Sequence, residues 1–187
     1  MASPITNVVG FDDAPFPASH RGNVRIFGAV CARTRLDGVI SGLVRRDGAN
    51  ATERMIELVE RSQFKSCVRA VILQGIAVAG FNVVDIEALS SALNVPVVVV
   101  ARRKPRLHLV HAAVLRTPGA DRKWRLIQRA GAMEPLDRLW VQRVGIGFDE
   151  AAAMLRATTL HGNLPEPLRL AHLIAGGVTT GVSRGRA

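Results

Sequence analysis

Two unbroken apolar runs, Ala70-Val71-Ile72-Leu73 and Val97-Val98-Val99-Val100-Ala101 behind Pro96, constrain this chain more than any other feature. Neither alternates with polar residues, so both read as strands covered on both faces, the condition of parallel strands between helical layers. Residues 82–93 lie between them and can supply the crossover helix that parallel strands require.

Ahead of this unit, residues 5–11, 24–32 and 39–44 read as three successive strands, with a turn at Leu36-Asp37-Gly38. The period then changes. After Asn50, Met55, Ile56 and Val59 fall on one side and Glu53, Glu57 and Glu60 on another, the pattern of an amphipathic helix. Residues 107–115, 124–130, 149–160 and 168–175 read as helices and 139–144 as a further strand. The order is β-β-β-α-β-α-β followed by helices, a mixed-sheet α/β class. No repeat, low-complexity tract or linker divides residues 1–187, so one domain is expected.

Composition narrows the function. With 48% hydrophobic and 21% charged residues, the chain has the balance of a globular protein. Its apolar runs are far shorter than a membrane span, and residues 1–10 lack a basic segment ahead of an apolar one, so a cytoplasmic protein is expected. Cys31 and Cys67 stand in apolar segments without metal-ligand spacing and read as buried thiols. Lys and Arg number 25 against 15 Asp and Glu, a net charge of +10. Eleven bases against three acids fall between Ala101 and Arg143. Such a stretch is suited to phosphate, which makes nucleic acid, DNA or RNA, the leading partner; an Arg-rich solvated surface is the competing reading. Arg184 and Arg186 extend the charge into a tail expected to fray.

Oxygen donors come from separate elements. Asp12 or Asp13 ends the first strand, Glu53 opens the first helix, and Gln74 ends the strand that starts at Ala70. Sites in open α/β sheets form beyond the carboxyl ends of strands, and hard divalent cations take such donors. Each has a plainer role: Glu53 stands at capping-box spacing from Asn50, and Asp12 and Asp13 precede a Pro-rich turn. Asp85 suits a helix N-terminus better than a metal. His108 and His111 share a helical face, a spacing that chance also produces. No phosphate-cradling Gly-rich loop and no nucleophile elbow is present.

The segments Gln74-Gly75-Ile76-Ala77-Val78-Ala79-Gly80-Phe81-Asn82-Val83-Val84-Asp85-Ile86, Asp47-Gly48-Ala49-Asn50-Ala51-Thr52-Glu53 and Leu164-Pro165-Glu166-Pro167-Leu168-Arg169-Leu170-Ala171-His172 carry a resemblance. With Gly10-Phe11-Asp12-Asp13, they resemble an archaeal family known as domain of unknown function ninety-nine, itself similar to endonuclease V. The resemblance implies an RNase H-like fold and an enzyme that cuts nucleic acid near deaminated purines with Mg²⁺ or Mn²⁺. It places catalytic roles on Asp12, Glu53 and His172, and metal-binding roles on Asp12, Glu53 and Gln74. Nucleic-acid contacts fall on Arg102, Arg103, Lys104 and Arg169. Two departures stand out: Gln74 occupies the position of a metal-binding aspartate, and the chain has no Tyr for a strand-opening wedge. The expected function is a metal-dependent endonuclease-like protein. The alternative is a non-catalytic nucleic-acid binder that keeps the scaffold without cleavage.

Overall fold

The structure is a computed structural model that describes residues 4–183. Arg184 and Arg186 of the basic tail lie outside the described residues. A seven-stranded mixed sheet runs in the order β3-β2-β1-β4-β7-β9-β8. Its strands are β1 (Asn7–Asp13), β2 (Asn23–Ala32), β3 (Arg35–Arg45), β4 (Ala70–Gln74), β7 (Val97–Ala101), β8 (Glu134–Leu136) and β9 (Leu139–Val144), and β5 (Ala77–Val78) and β6 (Asn82–Val83) form a small separate ribbon. The helices are α1 (Ala51–Glu60), α2 (Ile86–Leu93), α3 (Leu107–Val114), α4 (Ala120–Arg129), α5 (Phe148–Ala157) and α6 (Glu166–Thr180). The expected β-β-β-α-β-α-β order is present, with the β5-β6 ribbon inserted before α2 and the β8-β9 hairpin before α5.

The two apolar runs became β4 and β7, which pair in parallel, Val71 opposite Val97 and Leu73 opposite Val99. Alternate residues of the central strands enter different cores. Val9, Phe11, Val71, Leu73, Val97 and Val99 pack with Met55 and Val59 of α1 and Ile86 and Leu89 of α2. Val8, Ala70, Ile72, Val98 and Val100 pack with Met154 and Leu155 of α5 and Leu168 of α6. This period-2 partition gives three layers, with α1 and α2 on one face of the sheet and α5 and α6 on the other. Gly10 lets α6 approach β1 closely, because a Cβ there would stand 2.5 Å from the Pro167 carbonyl carbon.

The hairpin between β2 and β3 turns earlier than the sequence suggests. Arg33 takes a φ of 57° in the turn, and Leu36, Asp37 and Gly38 belong to β3. Gly38 serves packing there: the Phe64 ring occupies the space a side chain would need, with Cζ 2.0 Å from an ideal Cβ. Asn82 does not start the crossover helix but sits buried in the ribbon, where its Oδ1 accepts from Ala51 N at 3.0 Å. Asp85 caps α2 by accepting from Ala88 N at 3.0 Å. Cys31 is buried and Cys67 half-buried, and both are free thiols. Among the described residues, no helix is long and apolar enough to cross a membrane.

Candidate active site at the carboxyl edge of the sheet

β1, β4 and β7 run parallel, so Asp12 and Asp13, Gln74 and Ala101 all reach the same edge. β2 runs antiparallel to β1 and β3 antiparallel to β2, which brings Asn23 and Arg45 to that edge too. A cleft of about 470 Å³ opens there, lined by Asp12, Asp13, Phe16, Gln74, His172 and Thr180 among others.

Strand alternation decides where the two adjacent acids point. Asp12 follows Val8 and Gly10 toward α6, where His172 Nδ1 stands 2.8 Å from its Oδ2. Asp13 follows Val9 and Phe11 toward the other face, where its Oδ2 accepts from Ala79 N at 2.7 Å. Burial raises the Asp12 carboxyl above its usual range, opposed by the hydrogen bond and charge of His172. Asp13 is pushed up to about 6, first by burial and then by the neighbouring Asp12 charge. Acids on consecutive residues, Asp12 buried and Asp13 half-buried, cost stability when both are ionised, a strain that functional sites commonly hold. Gln74 Oε1 is buried beside them without a hydrogen-bond partner. An amide oxygen so placed in an acidic cleft has the lone pairs to coordinate a cation or accept a hydrogen bond.

The donors are hard oxygen atoms, the kind Mg²⁺ or Mn²⁺ takes. Among the described residues, no three His, Cys, Asp or Glu side chains converge into a metal-binding group. A cation here fits only by using the Gln74 amide oxygen and retained water along with aspartate, which suits an ion that dehydrates reluctantly.

The structure does not bring every expected residue to this cleft. Glu53 lies on α1, the layer across the sheet from the Asp12 carboxylate, and its side chain is exposed. It forms no capping box either, because Asn50 makes no cap bond; its Oδ1 accepts from Arg45 N and Asn82 Nδ2 instead. Arg169 forks onto Glu166 through Nε at 2.8 Å and Nη2 at 2.6 Å. Glu166 is 2% exposed, so that pair anchors the first turn of α6. Arg102 and Arg103 follow β7 at the same edge and are exposed, and Lys104 Nζ sits 5.2 Å from the Trp140 ring centroid. His111 packs its ring on Trp124 at 4.2 Å rather than joining His108 in a site. Sequence reading also passed over Asp47. Its φ of 50° puts it in the left-handed region, its Oδ1 accepts from Phe81 N and its Oδ2 pairs with Arg46 Nε. The Asp47-Gly48 pair is the turn signal that marks it.

Comparison with known proteins identifies the fold and the family. The model of the family described as Endonuclease dU matches residues 4–179. A UPF0215 protein of Deinococcus radiodurans is 55% identical over 183 residues, covering 97% of this chain and 93% of that protein. One from Methanothermobacter thermautotrophicus is 42% identical over 185 residues, covering 96% and 91%. Among solved structures, a protein of unknown function from Archaeoglobus fulgidus is similar with a TM-score of 0.87 at 29% identity, covering 92% of this chain and 98% of that one. Endonuclease V of Bacillus subtilis is similar with a TM-score of 0.60 at 14% identity, covering 95% and 82%. Endonuclease V of Ciona intestinalis, solved with DNA containing an inosine, gives a TM-score of 0.57 at 12% identity, covering 89% and 82%. The fold is therefore the RNase H-like mixed α/β arrangement of endonuclease V. On its sequence, the chain belongs to the endonuclease dU family.

Proposed function

We propose that this protein is a nucleic-acid endonuclease whose reaction centre is the cleft of Asp12, Asp13, Gln74 and His172. The observation that carries this is the Asp12–His172 pair, 2.8 Å apart, beside the unpartnered Gln74 oxygen at the carboxyl edge of the sheet. Asp12 and Gln74, with Asp13 adjoining, would hold a divalent cation, which when bound supplies Lewis-acid polarisation of a phosphoryl oxygen. His172 orients the Asp12 carboxylate through Nδ1, which leaves Nε2 as the ring atom able to take or give a proton. Arg102 and Arg103, two strands away at the same edge, would steady the backbone, since phosphate contacts fix position and register. Glu53 has no part in this centre.

The family description directs the choice of substrate to deoxyuridine, and the endonuclease V neighbour to inosine. Purified protein with Mn²⁺ or Mg²⁺ is expected to nick DNA that contains deoxyuridine and to stop when the cation is chelated. Folded protein that leaves deoxyuridine and inosine substrates intact with either cation, in DNA and in RNA, would refute the nuclease reading. The second reading, a binder without cleavage, draws on one observation: Gln74 adds an oxygen but no charge where the resemblance implies an aspartate. Binding that survives chelation without any cleavage would favour it.

A further inference from the structure

The carboxyl edge holds a second concavity, of about 620 Å³, lined by Arg21, Arg45, Arg46, Asp47, Arg116 and Pro118. Three segments meet in it: the approach to β2, the turn after β3 and the turn between α3 and α4. Lys123 ties the last two together. Its ammonium donates to the Asp47 carbonyl at 2.6 Å and to Thr117 Oγ1 at 3.0 Å. The residue is 3% exposed, so the pocket walls are fixed by a buried cation rather than by chance apposition of loops.

Charge in the pocket is unbalanced. Four guanidinium groups share it with a single carboxylate, that of Asp47. That carboxylate is already engaged, its Oδ1 by Phe81 N at 2.8 Å and its Oδ2 by Arg46 Nε at 3.2 Å. Arg21 and Arg46 both donate through Nη1 to the carbonyls of Ala18 and His20, which gathers two like charges on one pair of acceptors. Arg45 and Arg116 are exposed, and neither forms an ion pair among the described residues. Gathered guanidinium groups repel one another, and their planar forks match phosphate oxygens. The pocket also adjoins the acidic cleft: the Arg46 guanidinium carbon lies 5.3 Å from the centroid of Phe16, a residue that lines the cleft.

We propose that this arginine pocket is a phosphate subsite that grips the nucleic-acid backbone on the side of the acidic cleft away from Arg102 and Arg103. It rests on the nucleic-acid reading above and gives it a direction. In the sheet order β3-β2-β1-β4-β7, Arg45 and Arg46 flank β1 from one side and Arg102 from the other. Four strand spacings, about 20 Å, separate the two basic flanks, a span of several nucleotides with the acidic pair at its middle. The strand would run along the sheet edge, across the ends of β3, β2, β1, β4 and β7.

The test is a salt titration of binding by the full chain, in chelator, to labelled single-stranded DNA and to RNA of matched sequence. The Arg45→Gln/Arg116→Gln variant is compared with wild type and with Arg61→Gln/Arg69→Gln. That control removes the same charge from exposed arginines at the other end of the sheet, after α1 and before β4. Loss of two phosphate contacts lowers the log–log salt slope by about 1.4 on a single strand. Between about 50 and about 200 mM salt, the pocket variant should therefore lose roughly sevenfold less affinity than wild type. The control should keep the wild-type slope, and the two arms show whether DNA or RNA is the strand held. Wild-type binding with an unchanged slope in the pocket variant overturns the subsite and leaves the nucleic-acid reading intact. An equal fall in the control overturns the subsite as well, because charge alone then explains the effect. Wild-type protein that binds neither strand overturns both.

Discussion

Replacing Asp13 with Asn should stabilise the protein at neutral pH and cease to do so in acid. The Asp13 carboxyl, ordinarily at 3.8, is pushed up to about 6 by burial and by Asp12. A folded-state value above the unfolded one means that the folded chain binds the proton more tightly. Stability from this group is therefore greatest below the unfolded value, falls as pH rises from about 4 to about 6, and stays low above that. The full cost at neutral pH is about 3 kcal/mol. The raised value already includes the hydrogen bond from Ala79 N, which favours the ionised form, and Asn keeps an acceptor there. The expected gain is therefore about 3 kcal/mol at pH 8, a rise of about 1 to 2 M in the urea midpoint. Urea unfolding of both chains in chelator, at about pH 8 and about pH 4, measures it. A gain of the same size at both pH values, or a loss at pH 8, would refute the reasoning, because the acid pair would then not be the source of the strain.

Gly10→Ala should cost about 2 kcal/mol or more in thermal or urea unfolding, since its Cβ meets backbone of Pro167 and Leu168; a variant as stable as wild type contradicts the close approach of α6. Lys123→Met should lose about 1 to 3 kcal/mol by leaving the half-buried Asp47 carbonyl without its donor, and unchanged stability would show that the ammonium does not tie the pocket walls. Glu53→Gln should leave cleavage within about twofold of wild type, whereas His172→Ala should lower it at least about a hundredfold, the range for positioned proton-transfer groups. Equal losses in the two variants would return Glu53 to the reaction centre.

The fold was legible where burial dictates sequence. The valine run of β7 and the apolar run of β4 announced covered parallel strands, and β9 emerged at the expected residues, Leu139–Val144. The β2-β3 turn was misjudged because Gly38 reads as a turn residue in sequence, while its real neighbour is the distant Phe64 ring. β8 escaped because it has three residues, one of them Pro135 at the sheet's edge. Asp12 was legible as an acid leaving a strand. That Glu53 lies outside the lining of its cleft was not legible, because spacing along a helix says nothing about which face of the sheet that helix covers. Arg169 looked available for phosphate, yet its partner Glu166 sits one helical turn away on the same element. The arginine pocket was invisible to sequence, for it joins residues 21, 46 and 116 through contacts that only the tertiary fold creates.

The proposed working centre lies at Asp12, Gln74 and His172 and excludes Glu53. Crystals soaked in Mn²⁺ and measured at the manganese absorption edge test it directly. Anomalous density within coordination distance of an Asp12 carboxylate oxygen and Gln74 Oε1 is the expected result. Density at Glu53 instead, or none near Asp12 at a Mn²⁺ concentration that supports cleavage, would contradict it.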